Sequence, residues 1–325
     1  MLTSPSRAVF DVVTRRSQGN CLSVLIYHRI LPAPDPLLPY EPDVRTFERT
    51  MRWVGETFNV MPLERAVQGL KEGRLPPRAM AITFDDGYAN NATLAAPMLG
   101  RLGLHATFFI ATGYLDGGRM FNDAVVEAVG RCRDEVLDLR SLGLGSFSVA
   151  AVGERRSAIG SILEAIKYRD ENTRAELAER IADVAGVRLP TDLMMTSEQA
   201  AALARNGFGL GGHTVSHPIL AGKDYQTAYR EIVSGRKRLE DISGSRIGLF
   251  AYPNGRPDKD YVRATATLVR ELGFDGAVST SSGVAKVGSD PFQIPRFTPW
   301  DSRPLRFAAQ LISNVTFNNT VYASG

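Results

Sequence analysis

The sequence predicts an α/β protein in which a parallel sheet, wrapped by helices, is closed or partly closed into a barrel. Three observations carry this. Short apolar runs rich in β-branched and aromatic residues alternate with helical patterns through most of the chain. About seven such β-then-α units follow one another, which favours a closed sheet over an open doubly wound one. No Gly-x-Gly-x-x-Gly follows the first strand, which argues against a dinucleotide fold.

The elements follow in order. Residues 22–27 (L-S-V-L-I-Y) read as a strand ending at His28, and 30–42, with their prolines, as a loop. Residues 46–58 carry apolar positions at helical spacing, with Thr46 as the expected N-cap. A short strand at 59–63 and a helix at 63–72 lead to the strand 80–84, M-A-I-T-F, which stops at Asp85, Asp86 and Gly87. A helix at 90–102 closes at Gly103, and 106–111 (A-T-F-F-I-A) form another strand. Residues 117–195 break the rhythm. They show helices at 124–133, 159–168 and 172–185 but no strong strand, and read as a helical insertion over one face. Beyond it come a helix from Thr196 to Asn206, strands at 208–212, 247–252, 276–279 and 293–297, and helices at 225–242, 259–272 and 304–314.

Composition narrows the function. The chain has 325 residues, 44% hydrophobic and 22% charged, an ordinary globular balance that fits one large domain over 21–325 behind an N-terminal extension, 1–20. The net charge of +3, with no dense basic block, excludes a nucleic-acid partner. Cys21 and Cys132 form neither a disulfide framework nor a metal spacing. There is no apolar run of a secretory signal and no window of roughly 18 apolar residues, so the expected location is the cytoplasm. Residues 7–16 suit either a plain surface helix, the preferred reading, or a basic amphipathic helix in peripheral contact with a membrane.

The chemistry concentrates in two places. Asp85 and Asp86 stand where a buried strand ends, and the carboxyl end of a parallel strand faces the crevice where α/β proteins bind ligands. Taken alone, D-D-G also suits a solvated turn. Downstream, His213 and His217 occur in G-G-H-T-V-S-H-P, where Pro218 favours a loop over a helix. Two histidines and one carboxylate make a recurring metal site that keeps a position open for water. A hydrolytic metal site also needs a separate base. Adjacent acids at a strand end point different ways, so one can ligate while the other accepts a proton.

T-F-D-D-G at 83–87, with H-T-V-S-H at 213–217 downstream, resembles the polysaccharide deacetylases of carbohydrate esterase family four, the NodB-homology group. G-L-H-A-T-F-F-I at 103–110 resembles the strand that follows the first motif, and the likeness covers most of 22–297 apart from 117–195. The resemblance implies a distorted (β/α)-barrel of about seven strands, with Asp85 as general base and Asp86, His213 and His217 binding a divalent metal, usually zinc. The donor set itself also suits cobalt, nickel or iron. The family's R-P-P-Y-G stretch reads A-Y-P-N-G here, so the arginine that orients the base is absent at Ala251. The backbone N–H of Asn254 can still supply an oxyanion donor. Arg296, in Q-I-P-R-F, is the candidate to replace the missing arginine, the competing reading being a surface or structural ion pair.

The family's late Leu-x-His falls at I-P-R, so its histidine is missing, but L-I-Y-H at 25–28 resembles the upstream Tyr-His motif of the biofilm poly-N-acetylglucosamine deacetylases. This assigns the general acid to His28, against the alternative of a strand-end histidine capping a carbonyl. Trp300 and Asp301 suit a sugar groove or rim packing, and His105 reads as structural. The expected activity is metal-dependent N-deacetylation of an N-acetylated glycan, releasing acetate. A deacylase of a lipid-linked sugar and an inactive glycan-binding protein are the rivals.

Overall fold

The computed structural model describes residues 21–299, 304–316 and 320–324. Among them are nine strands: β1 (Leu22–Tyr27), β2 (Asn59–Val60), β3 (Ala79–Phe84), β4 (Thr107–Ile110), β5 (Val136–Asp138), β6 (Ser146–Ser148), β7 (Gly209–Gly212), β8 (Leu249–Ala251) and β9 (Gly276–Val278). The helices are α1 (Val44–Thr57), α2 (Leu63–Lys71), α3 (Ala96–Arg101), α4 (Phe121–Arg131), α5 (Val152–Ile166), α6 (Glu171–Val184), α7 (Ser197–Arg205), α8 (Tyr225–Ser243), α9 (Arg263–Glu271) and α10 (Pro304–Thr316). None of the described helices is long and apolar enough to cross a membrane.

Two compact units emerge. The first carries a wholly parallel sheet in the order β1-β3-β4-β7-β8-β9, with β2 also on β3. Every residue of β1, β3 and β4 is buried, which explains their nearly continuous apolar runs: a parallel strand has both faces covered. Residues 294–297 tie the outer strands together. Ile294 bridges Val278 of β9, and Phe297 bridges Leu25 of β1. The expected strand at 293–297 is thus reduced to two isolated bridges, because Pro295 has no N–H to continue a ladder.

Alternation along the strands separates two cores. Leu25, Ile82, Phe84, Phe108 and Phe250 pack outward against helices including α1, α7, α8 and α9. Val24, Ala81, Phe109, Leu249 and Val278 face the interior, where they meet Leu63, Val67 and Leu70 of α2. Because α2 lies against Gly209 and Gly276, the first residues of β7 and β9, it covers the N-terminal ends of the strands. The opposite, carboxyl ends are left for the functional side chains.

Two helix starts differ from expectation. Asp43, not Thr46, caps α1, its side chain accepting from Thr46 N at 2.9 Å. The expected helix at 90–102 opens as a π-turn, Asn91–Ala95, in which Ala96 N–H reaches back to Asn91 O. Pro97, next in line, has no N–H to give a preceding carbonyl.

The second unit comprises Pro34–Pro39 and Asp116–Met194. It has its own core, in which Val125, Val129, Leu139, Ile162, Ile166 and Ile181 join α4, α5 and α6. Residues 34–39, which read as plain loop, belong to it, with Leu37 packed on that core. It also contains an antiparallel pair, β5 with β6, in the stretch that shows no strong strand signal. Each is three residues long and, of the six residues, only Leu137 is buried, so no periodic signal marks them.

Candidate active site

The two neighbouring aspartates of the D-D-G stretch have different conformations and different partners. Asp85 extends β3 by one residue, its N–H donating to Tyr27 O at 2.9 Å. It shares the interior face with Ala81 and Thr83 by alternation. There it meets Arg296, whose Nη1 and Nη2 donate to Asp85 Oδ1 and Oδ2, both at 2.7 Å. Arg296 is 1% exposed and further held by Ser279 O (2.9 Å) and Thr83 Oγ1 (3.2 Å), while Thr83 itself donates to Leu25 O at 2.7 Å. Burial opposes ionisation of Asp85, but the charges of Arg296 and the nearby histidines outweigh it and hold the carboxyl below its ordinary value.

Asp86 has φ +75°, a left-handed conformation that turns the chain out of the strand. Its Oδ1 lies 3.4 Å from Nε2 of His213 and 3.4 Å from Nε2 of His217. The three donor atoms fall within 4.8 Å of one another. Tetrahedral bonds of about 2.0–2.1 Å place two ligand atoms ~3.3 Å apart, which the two Asp86–histidine separations of 3.4 Å match. His213 Nδ1 lies 2.7 Å from Ala251 O, which fixes the ring and turns Nε2 to the site.

Burial opposes the charge on Asp86, yet His213, His217 and His28 hold it far below its ordinary value. Burial pulls His217 down to about 4, leaving its imidazole neutral at pH 7. For His213 the same burial is outweighed by Asp86 and Asp85, which raise it.

His28 follows β1 at the same end of the sheet and is half-buried. When protonated it would act through its charge on Asp85, Asp86, Glu41 and His217. Asn254, with φ +58°, follows β8, and its carbonyl accepts from Thr280 Oγ1 at 2.7 Å. The structure thus brings Asp85 to Arg296 and, beside them in the chain, Asp86 to His213 and His217, sets His28 within electrostatic reach, and places Asn254 beyond a neighbouring strand end. His105 lies exposed ahead of β4, at the opposite end. Trp300 and Asp301, like residues 7–16, fall outside the described residues.

An acid near His28 escaped the sequence reading. Glu41 accepts from Arg29 N at 3.1 Å, beside His28, and burial pushes its carboxyl up against the opposing charge of His28. It sits in a proline-rich stretch with no periodicity, and only the backbone pairing of Leu31 with Asp43 brings it back to the strand end.

Comparison with known proteins bears on the family and the fold. A family model described as polysaccharide deacetylase matches residues 72–143 and 166–277. Its gap, 144–165, is narrower than the unmatched 117–195 expected from the motifs. The protein YxkH of Bacillus subtilis (strain 168), named with the polysaccharide deacetylases, is 20% identical over 266 residues, 81% of this chain and 66% of its own length. The Streptococcus pyogenes deacetylase PplD, solved in complex with acetate, matches with TM-score 0.60 and 16% identity over 92% of this chain and 99% of its own. IcaB from Ammonifex degensii gives TM-score 0.60 and 18% identity over 92% and 98%. With more than half of its length matched by the family model, on a barrel of the same fold, this chain belongs to the polysaccharide deacetylase family, hydrolases that act on carbon–nitrogen amide bonds.

Proposed function

We propose that the protein is a metal-dependent N-deacetylase that removes acetyl groups from amino sugars of a poly- or oligosaccharide, with zinc as the working ion. The carrying observation is the division of labour at the strand end: Asp85 is paired with Arg296, while Asp86 is left to His213 and His217. A divalent cation on Asp86, His213 and His217 would supply Lewis-acid polarisation of the acetyl carbonyl and acidify water.

The chain's own groups do the rest. Asp85 takes the proton of the attacking water; Arg296 occupies one acceptor site on each of its oxygens, and a carboxylate has about four. The lowered pKa keeps Asp85 ionised across neutral pH. The N–H of Asn254 donates to the developing oxyanion. His28 gives its proton to the departing amine, which cannot leave as an anion. The acetate with which PplD was solved is the product such a reaction releases, and that relative supports the choice of acetyl group.

The test is acetate release from N-acetylglucosamine oligomers by zinc-loaded protein. Asp85→Asn should retain zinc and lose at least roughly a hundredfold in rate, in the range for a missing general base. Full turnover by that variant would overturn the assignment. Release from polyprenyl-linked acetylated sugars but not from free oligomers would move the substrate to lipid-linked glycans.

A further inference from the structure

The loop that carries both imidazoles is strained. Thr214 and His217 have φ +66° and +54°, a left-handed region that is unfavourable for a non-glycine residue. Such a conformation persists only where the surroundings over-determine it. Here they do so group by group. The N–H groups of Val215 and Ser216 both donate to Glu231 Oε2 at 2.9 Å, and the Ser216 hydroxyl donates to Glu231 Oε1 at 2.9 Å. On the carbonyl side, Thr112 N–H donates to Thr214 O (3.1 Å), Gly113 N–H to Val215 O (2.8 Å) and the Tyr114 hydroxyl to Ser216 O (2.9 Å). His217 N–H closes the turn on Thr214 Oγ1 at 3.1 Å.

The packing leaves no slack. A Cβ on Gly235, one turn beyond Glu231 on α8, would lie 2.8 Å from Thr214 O, and one on Gly113 would lie 2.7 Å from Val215 O. Helix α8 and the turn at 112–114 both approach the loop closely because these positions are glycine. Glu231 is the charged member of this cradle, and hydrogen bonds to an ionised acceptor are roughly twice as strong as neutral ones.

We propose that Glu231 is a positioning residue for the metal site: by binding three donors between His213 and His217 it holds both imidazoles at the spacing a divalent cation requires. The proposal rests on reading Asp86, His213 and His217 as metal ligands. Loss of an outer partner of this kind typically weakens metal binding about 10–100-fold.

Zinc affinity, measured by competition with a chromophoric chelator on the purified full chain, tests this without reference to substrate. Glu231→Gln keeps the size but leaves a single acceptor oxygen, on a neutral group, where a carboxylate served three donors. It should bind zinc at least tenfold more weakly while retaining its far-ultraviolet circular dichroism, and at saturating zinc its kcat should return to within about fivefold of the starting protein. A zinc affinity lowered less than tenfold overturns the proposal, whatever happens to the melting temperature. Should Glu231→Gln not fold, Tyr114→Phe decides. Removing that one hydroxyl should cost about threefold in zinc affinity, the equivalent of one neutral hydrogen bond, and an unchanged affinity overturns the cradle. His213→Ala is the control. If that variant binds zinc as tightly as the starting protein, the metal-site reading itself fails, separately from the role of Glu231.

Discussion

Asp85 and Asp86 are consecutive and both buried, yet their charges are compensated in different ways. Asp85 lies in an extended segment and is paired with a guanidinium that stays charged at any working pH. Asp86 lies in a left-handed turn and faces two imidazoles, one of them neutral at pH 7. A group with a permanent partner keeps one protonation state and one orientation, as a base should. A group with titratable, ligand-type neighbours suits the proposed role of metal ligand. The contrast teaches that two identical side chains acquire different electrostatic surroundings through backbone conformation and partner chemistry alone.

The harshest way to break the contrast is to remove the permanent partner. Arg296→Met keeps the bulk but leaves the Asp85 carboxylate buried and unpaired, and should cost about 3–5 kcal/mol in chemical denaturation at pH 7. A loss under 1 kcal/mol would mean that Asp85 does not depend on Arg296. Next comes the metal half. Zinc at about 100 times its Kd should stabilise the starting protein by ~2.7 kcal/mol, a shift absent from His213→Ala. An equal shift in both would place zinc elsewhere.

The pH dependence of the ion pair follows from its sign. The folded-state pKa of Asp85 is lowered, so its stabilising contribution is full above the ordinary carboxylate value of ~3.9 and is lost as pH falls from there through the folded value. Unfolding free energies from pH 7 down to 3 should therefore stay level in this contribution until near pH 4 and then drop. A contribution lost already between pH 7 and 5 would contradict the lowered pKa. The smallest effect sharpens rather than breaks the comparison: Thr83→Val removes the hydroxyl between Arg296 and Leu25 O and should cost about 1 kcal/mol, with zinc affinity unchanged.

Much of this was legible in the sequence, and the gaps have physical causes. Strands with both faces covered announce themselves as apolar runs, so β1, β3 and β4 and the acids at the end of β3 could be placed locally. The His-Thr-Val-Ser-His loop was equally visible. Glu41 was not, because its position depends on a loop returning to the strand it left. Nor was Glu231, which resembles any other acid on an amphipathic helix until the loop packs on it. The pair β5–β6 and the assignment of 34–39 to the second unit were hidden because their elements are short and held by long-range packing.

By itself the sequence determined which residue types stand at which strand ends, since backbone propensity and alternation act over a few residues. It left open which cation faces Asp85. Arg296 lies 211 residues away in the chain and was equally compatible with an ion pair unrelated to catalysis. Only the tertiary structure decided this. Residues 294–297 tie β9 to β1, alternation turns Ile294 and Arg296 inward, and small Ala81 and Thr83 leave the interior room that the guanidinium fills.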